Sequence, residues 1–388
     1  MVISELRLRC LAVPFLEPAP WRFGRLEGVT TILVELETEN GLVGLGEAPG
    51  IPAAGLVCEA LEALRPLLIG ADSTQVVRLA RTASERLAEH DPQIASLALA
   101  GAEMALWDLC GKAVGLPVHR LWGGADAGPI PFYWHVNSPD LEPHVLATRA
   151  AQGLEAGFDT LYLKVGFGID LDLQLAEAIR AEVGTAVPLR LDPNEAWSAI
   201  EVRRRLPELE ALELEFLEQP FRAEDHDAAV ELRRSSRIPV AANQSAWLLS
   251  DVREVLARRA ADVVVTGLHQ LGGMLALRDA ALLCRLAGVP LVRHSLCDLG
   301  IATAAALQVL ATLPPGQLAH QTHLTLLRET LVTPAFHFEG GHLAVPSAPG
   351  LGVELDREAV DRCERRYAED GGFKAFGEPH EPAAARGS

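Results

Sequence analysis

The sequence predicts an α/β protein in which a closed TIM-type barrel of alternating strands and helices follows a separate α+β domain. Three observations carry this. From about residue 130 onward, short apolar runs alternate with amphipathic segments of helical spacing. Eight such runs recur at intervals of roughly 20 to 30 residues, the cadence of a barrel. The stretch before them lacks that cadence and opens on a hairpin pattern. A chain of 388 residues, 49% hydrophobic and 22% charged, is long and apolar enough for both parts.

Taken in order, "MVISELRLRCLAVPF" alternates like a strand and carries charges, unlike a signal peptide. "TTILVELETENGLVGLGEA" reads as a hairpin turning at Asn40-Gly41, and helices follow it. These segments make up an expected first domain at 1–128. The candidate barrel strands are 130–137, 160–166, 188–194, 214–220, 238–243, 261–267, 290–295 and 318–324. Between them lie segments such as "DLQLAEAIRAEVG" and "DVREVLARRA", apolar at helical spacing. The alternative, an open doubly wound sheet, would bring a glycine-rich phosphate turn, and "GFGIDL" lacks the third glycine. The barrel is placed at 129–345. A C-terminal segment at 346–377 is expected to return to the first domain, and a polar tail at 378–388 to be disordered.

Charge narrows the partners. A net charge of −18 argues against nucleic acid and against an anionic membrane surface. No uninterrupted apolar run of about 18 residues suggests a membrane span. Six scattered cysteines without zinc spacing are expected to be reduced, and the protein cytoplasmic. An acidic substrate would then need local positive charge.

That charge is scarce in one respect. Of 34 Lys plus Arg only three are lysine: Lys112, Lys164 and Lys374. Arginine stays protonated, whereas lysine can give up its proton when buried or beside another cation. Lys164 ends the second candidate strand, and in a barrel of this type chemistry sits at strand C-termini. Asp192 and Asn194 end the third strand, Glu218 the fourth, Asn243 and Gln244 the fifth, and His294 the seventh. Asp192, Glu218 and Asn243 form a hard, oxygen-only set suited to Mg²⁺, with two anions to balance the ion. Lys164 beside such a cation becomes a candidate base. A metal-free barrel using Lys164 as a Schiff-base aldolase, and a non-catalytic acid-binding protein, are the readings from other classes.

Longer motifs bring a resemblance. "AEMALWDLCGKAVGLPVHRLWGG" (102–124), "LDPNEAW" (191–197), "LEQP" (217–220) and "PGLGVELD" (349–356), with "HS" at 294–295 and "QTH" at 321–323, resemble the enolase superfamily. The similarity is to its mandelate racemase and muconate lactonizing branch, and especially to glucarate dehydratase-like acid-sugar dehydratases. It implies a modified (β/α)7β barrel under an α+β capping domain, Mg²⁺, and removal of the proton next to a carboxylate. It further implies a small carboxylate-bearing substrate such as a sugar acid, dehydrated to a 2-keto-3-deoxy acid, and a homo-oligomer. Racemisation, epimerisation and cycloisomerisation are the alternatives within the superfamily. His294 would be the acid that meets the departing hydroxyl.

The chain departs from the pattern in places. The common Lys-x-Lys of the second strand has Tyr162 at its first position; alternation puts Tyr162 and Lys164 on one face, so Tyr162 is expected at the site as a neutral donor. At Gly267 relatives carry a lysine, or an aspartate that orients the histidine. His269 nearby reads as a solvated loop histidine. Asn194, Gln244, His323, Trp134 and Arg22 are the expected substrate neighbours. His320 and His323 alternate, so only one of them can face the site.

Overall fold

The computed structural model describes residues 1–374, so the tail at 378–388 and the end of the 346–377 segment lie outside the described residues. The first layer is an antiparallel sheet of β1 (Ile3–Trp21), β2 (Gly24–Thr38) and β3 (Val43–Pro49), in that order. The β2–β3 connection falls at Asn40-Gly41, where Gly41 takes φ +81°. Helices α1 (Ala54–Leu68), α2 (Val76–Arg86) and α3 (Pro92–Val114) cover the sheet. The sequence sets both ends of α3. Asp91 accepts hydrogen bonds from the N–H groups of Gln93 and Ile94, Pro92 opens the first turn, and Gly115 closes the helix at φ +75°. This helix is long and apolar enough to cross a membrane, but 83% of its most apolar window is buried inside the fold. It lies directly on β3, where glycines face each other. A Cβ on Gly46 would sit 1.9 Å from the carbonyl oxygen of Gly101.

The barrel consists of seven parallel strands in chain order: β4 (Trp134–Val136), β5 (Leu161–Lys164), β6 (Leu189–Asp192), β7 (Phe216–Glu218), β8 (Val240–Ala242), β9 (Val263–Thr266) and β10 (Leu291–Arg293). Each is shorter than its apolar run predicts, because only the three or four residues in register with both neighbours enter the ladder. The predicted eighth strand at 318–324 is corrected: it forms no ladder. It closes the ring through single contacts instead. Gln321 N–H donates to Arg293 O (3.0 Å) on one side, and Tyr133 N–H to His320 O (3.0 Å) on the other. Below the strand ends the lumen is filled by Tyr133 stacked on Tyr162 at 4.7 Å, with the Arg190 guanidinium over Tyr133 and Phe216.

The C-terminal segment packs back on the first sheet. Leu351 N–H donates to Asp108 Oδ1 (2.7 Å), and Arg9 on β1 pairs with Asp361 and Glu364 of helix Arg357–Asp370, both at 2.6 Å. The glycine contact between β3 and α3 yields a testable contrast. Gly46→Ala should cost at least about 2 kcal/mol in urea unfolding, because the facing atom is backbone. Gly55→Ala on α1, where a Cβ meets nothing within 4 Å, should be neutral or stabilise by roughly 0.5–1 kcal/mol.

Candidate active site

Register assembles the site. Lys164 pairs with Asp192, Leu191 with Leu217, Glu218 with Ala241, and Val265 with Val292. Paired residues of parallel strands share a face, and alternate residues return to it. One inward row therefore runs Lys164, Asp192, Glu218, Asn243, Gly267, His294. His135, the partner of Tyr162, brings the first strand into the same row.

Asp192 is its hub. Lys164 Nζ donates to Asp192 Oδ2 at 2.5 Å and to Asn194 Oδ1 at 2.7 Å. Tyr162 donates its hydroxyl to the same Oδ2 at 2.5 Å, while the N–H of Asn194 holds Oδ1 at 2.8 Å. On the next strand Glu218 is buried with both carboxylate oxygens lacking a hydrogen-bond partner. Burial first, then the charge of Asp192, push its carboxyl well above the usual range. Asn243 turns its amide N–H to Val265 O (2.9 Å), which directs its side-chain oxygen away from that bond. Among the described residues no cluster of three or more His, Cys, Asp or Glu is set to hold a metal. Here the third oxygen belongs to a carboxamide. Two adjoining buried carboxylates, one with both oxygens orphaned, fit a hard divalent cation that would satisfy those oxygens and offset the paired charge.

Three histidines stand around this group. Burial, followed by the charge of Lys164, lowers His294 to about 3, and burial and Lys164 do the same for His135; His323 is lowered well below its usual value. They are neutral donors and acceptors at physiological pH. His294 Nδ1 has no partner, and His323 Nδ1 meets Ser295 Oγ at 3.0 Å. The open position at Gly267 has a steric reason: a Cβ there would lie 2.3 Å from the carbonyl oxygen of His294. His269 is not the solvated histidine that was expected. It is buried and takes no part in the row, with Nδ1 on Asp298 Oδ1 at 3.0 Å and Nε2 on Glu47 O at 2.9 Å.

A cavity of about 380 Å³ opens between these strand ends and the first domain. Lys164, Asn194, Asn243, Gln244, His294 and His323 all line it. Asp192 and Glu218, both buried, are not part of its lining, and neither are three other residues expected at the site. Trp134 points outward, donating Nε1 to Arg149 O (3.1 Å) and packing on Phe158, while His135 faces the cavity in its place. Strand alternation from Tyr162 through the register pair would have chosen His135. Tyr162 lies under the site, stacked on Tyr133 with its hydroxyl on Asp192, and does not line the cavity. Arg22 donates Nη1 to Asn194 O (2.5 Å), tying the β1–β2 turn to the barrel. Ser295 and Gln321 fall inside the "HS" and "QTH" motifs without being singled out there as site residues, and sequence reasoning missed Trp247 and the aromatic residues of the first domain, which no pattern along the chain marks.

The first domain is held over the cavity by buried carboxylates. Glu47 on β3 accepts the N–H groups of Leu299 (2.7 Å) and Ala302 (3.1 Å) at the start of helix Gly300–Leu310. Glu103 on α3 does the same for Met274 and Leu275 at helix Met274–Ala287. Beside Glu47, Asp298 binds both His269 and Arg293.

Fold and site together define a two-domain barrel protein with a carboxylate-rich site at its strand ends. The enolase C-terminal domain-like family matches residues 145–359, and the N-terminal domain of mandelate racemase / muconate lactonizing enzyme matches residues 4–123. The chain belongs to the enolase superfamily, in the mandelate racemase and muconate lactonizing branch. It is 32% identical over 374 residues to a probable glucarate dehydratase of Streptomyces coelicolor, covering 88% of this chain and 86% of that one. It is also 32% identical over 349 residues to a chloromuconate cycloisomerase of Cupriavidus pinatubonensis, covering 87% and 91%. The crystal structure of muconate lactonizing enzyme from Pseudomonas fluorescens complexed with muconolactone superposes with a TM-score of 0.84 at 27% identity, covering 93% and 99%. Relatives at this distance are named as lyases and as isomerases, so likeness sets the enzyme superfamily and leaves the reaction open.

The Glu47 clamp carries a pH signature. Burial, then the charge of Asp298, pushes its carboxyl from 4.5 to about 7. Between those values the folded chain keeps a proton that the unfolded chain releases, so stability falls as pH rises through the window. Urea unfolding should show the wild type losing on the order of 3 kcal/mol more than Glu47→Gln between pH 4.5 and 7. Parallel curves for the two proteins would refute the assignment.

Proposed function

We propose that the protein removes the proton next to a carboxylate of a small acid, with Lys164 as the base. The position of Lys164 carries this reading. It is the one cationic side chain among the described residues lining the cavity, and Asp192 and Asn194 fix its amine in one orientation at the mouth of the barrel. Asp192, Glu218 and Asn243 would hold Mg²⁺. When bound, the ion supplies positive charge against the charge that builds on the substrate carboxylate, and disfavours the ammonium form of the neighbouring amine. Tyr162 and the N–H of Asn194 keep Asp192 from rotating. Neutral His135, His294 and His323 offer ring N–H groups or lone pairs to the substrate without competing for the metal's charge.

The same geometry favours chemistry that needs one base. Racemisation requires a competent base on each face of the substrate. The position from which a second would project is Gly267, where the His294 carbonyl fills the space. His294, lowered to about 3, is a weak base and holds no readily released proton. Dehydration fits a single amine. Lys164 Nζ takes the proton from C2, that bonding pair forms the C2=C3 double bond, and the C3 hydroxyl leaves as water with the proton returned from Nζ. The enol left behind becomes a 2-keto-3-deoxy acid. The likeness to a glucarate dehydratase supports this reading, with a sugar acid as substrate. Cycloisomerisation is the second reading: it also needs one base, and the cycloisomerase relative supports it equally in identity.

Two outcomes test the proposal. Calorimetry should detect Mg²⁺ binding to the wild type and none to Asp192→Ala or Glu218→Gln; unchanged affinity in both would rule the metal set out. Lys164→Arg keeps the charge and cannot act as base. It should lower solvent-deuterium exchange at the carbon next to the carboxylate by about 10²–10⁴-fold while Mg²⁺ affinity is retained. Undiminished exchange in this variant would move the base elsewhere.

A further inference from the structure

The cavity has two unlike walls. The barrel side is mostly polar, with Trp247, Leu296, Cys297 and Leu326 among its lining, and carries both of the formally charged side chains that line the cavity, Lys164 and Glu195. The first-domain side is built from Phe15, Trp21, Phe23, Leu26, Val29 and Leu97. Its polar lining residues are Thr30 and Gln93. Thr30 donates its hydroxyl to Phe373 O at 3.1 Å, and Gln93 is exposed at the rim. Arg22 stays out of the lining: it is tied to Asn194 O, with its guanidinium 4.3 Å from the Phe23 ring centroid.

We infer that the substrate is a small carboxylic acid whose end remote from the reacting carbon is apolar, an alkyl or aryl group, and that Leu26 and Val29 help to set this preference. The inference rests on the Lys164 reading for the placement of the carboxylate end. With that end at Lys164 and the strand termini, the rest of the molecule must lie against the first-domain wall. Hydroxyl groups on a polyol chain would find few donors or acceptors there beyond Thr30 and Gln93. A second carboxylate at the far end would face mostly aromatic and aliphatic groups; the cation beside them, Arg22, lies over the Phe23 ring at 4.3 Å and is tied to Asn194 O. An alkyl or aryl end loses nothing at that wall and gains from leaving water. The inference narrows the sugar-acid expectation: the hydroxyls needed for dehydration at C2 and C3 remain, and those beyond them are disfavoured.

The test uses three acids of one chain length with Mg²⁺ present: the four stereoisomers of 2,3-dihydroxyhexanoate, the matching hexonates, and the matching hexarates. Deuterium exchange at C2 and 2-keto acid formation are followed for each, and binding is measured by calorimetry. The expected result is a kcat/KM for one dihydroxyhexanoate about 10²-fold or more above its hexonate, with the hexarate poorer still. Faster exchange of a hexonate or hexarate would overturn the inference while leaving the Lys164 reading intact. If none of the acids exchanges, the base assignment falls. Binding then decides the inference alone, and tighter binding of the hydroxylated or dicarboxylic acid overturns it. A Leu26→Gln, Val29→Thr double variant should move the ratio at least tenfold toward the hexonate; an unchanged ratio in a variant with the wild-type melting temperature would show that this wall does not choose the substrate.

Discussion

Asp192 and Glu218 are buried side by side at the ends of adjacent strands, and the surroundings are arranged around that juxtaposition of charge. Arg190 contributes from the layer below, but its Nε is tied to Glu215 and its Nη1 to Ala319 O. The amine of Lys164 goes to Asp192 and Asn194, so Glu218 keeps two orphaned oxygens. Leaving such a group without a partner is costly, and a divalent cation would satisfy it. The surrounding backbone is shaped to the same end. Asn194, Glu195 and Gln219 adopt positive φ just beyond their strands, at 44°, 68° and 38°, a conformation that non-glycine residues hold only when neighbours enforce it. Gln219 Oε1 then accepts the N–H groups of Asn243 and Ser245 and the Ser245 hydroxyl, seating the loop that carries the third oxygen.

The cavity is a property of two domains held together. Carboxylates of the first domain, Glu47 and Glu103, sit at the N-termini of barrel helices, where unpaired N–H groups and the helix dipole meet them. Asp108 holds Leu45 N–H and Leu351 N–H at once, joining β3 to the returning C-terminal segment. These clamps explain why His269 is buried: it stands between Glu47 and Asp298 and is spent on the interface. They also hold the apolar wall of the first domain over Lys164 and the strand ends.

Periodicity was legible along the chain because each strand–helix unit must bury its own apolar face. The seven strands fall within their predicted runs, and the turn at Asn40-Gly41 lies where its residue pair demands it. Lys164 was legible through composition and position, since it is one of only three lysines among 34 Lys plus Arg and ends a candidate strand. Asp192, Glu218 and Asn243 share a row because strand alternation and parallel register are local rules. The eighth strand was overread: the run at 318–324 follows the spacing of the others, but its backbone meets its neighbours at isolated points and forms no ladder.

The sequence by itself determined the barrel, the hairpin, the strand-end polar residues and the isolation of Lys164, since all of these follow from spacing and side-chain chemistry along one chain. Only the tertiary structure decided that His135 and not Trp134 faces the cavity, that Tyr162 serves Asp192 from below, and that Arg22 grips Asn194 O. It alone showed that Gly267 is closed by the His294 carbonyl and that the far wall is apolar. The physical reason is separation along the chain. Arg22 and Asn194, or Glu47 and Leu299, are joined by contacts 172 and 252 residues apart, and no local pattern encodes which distant group will fill the space beside a given side chain.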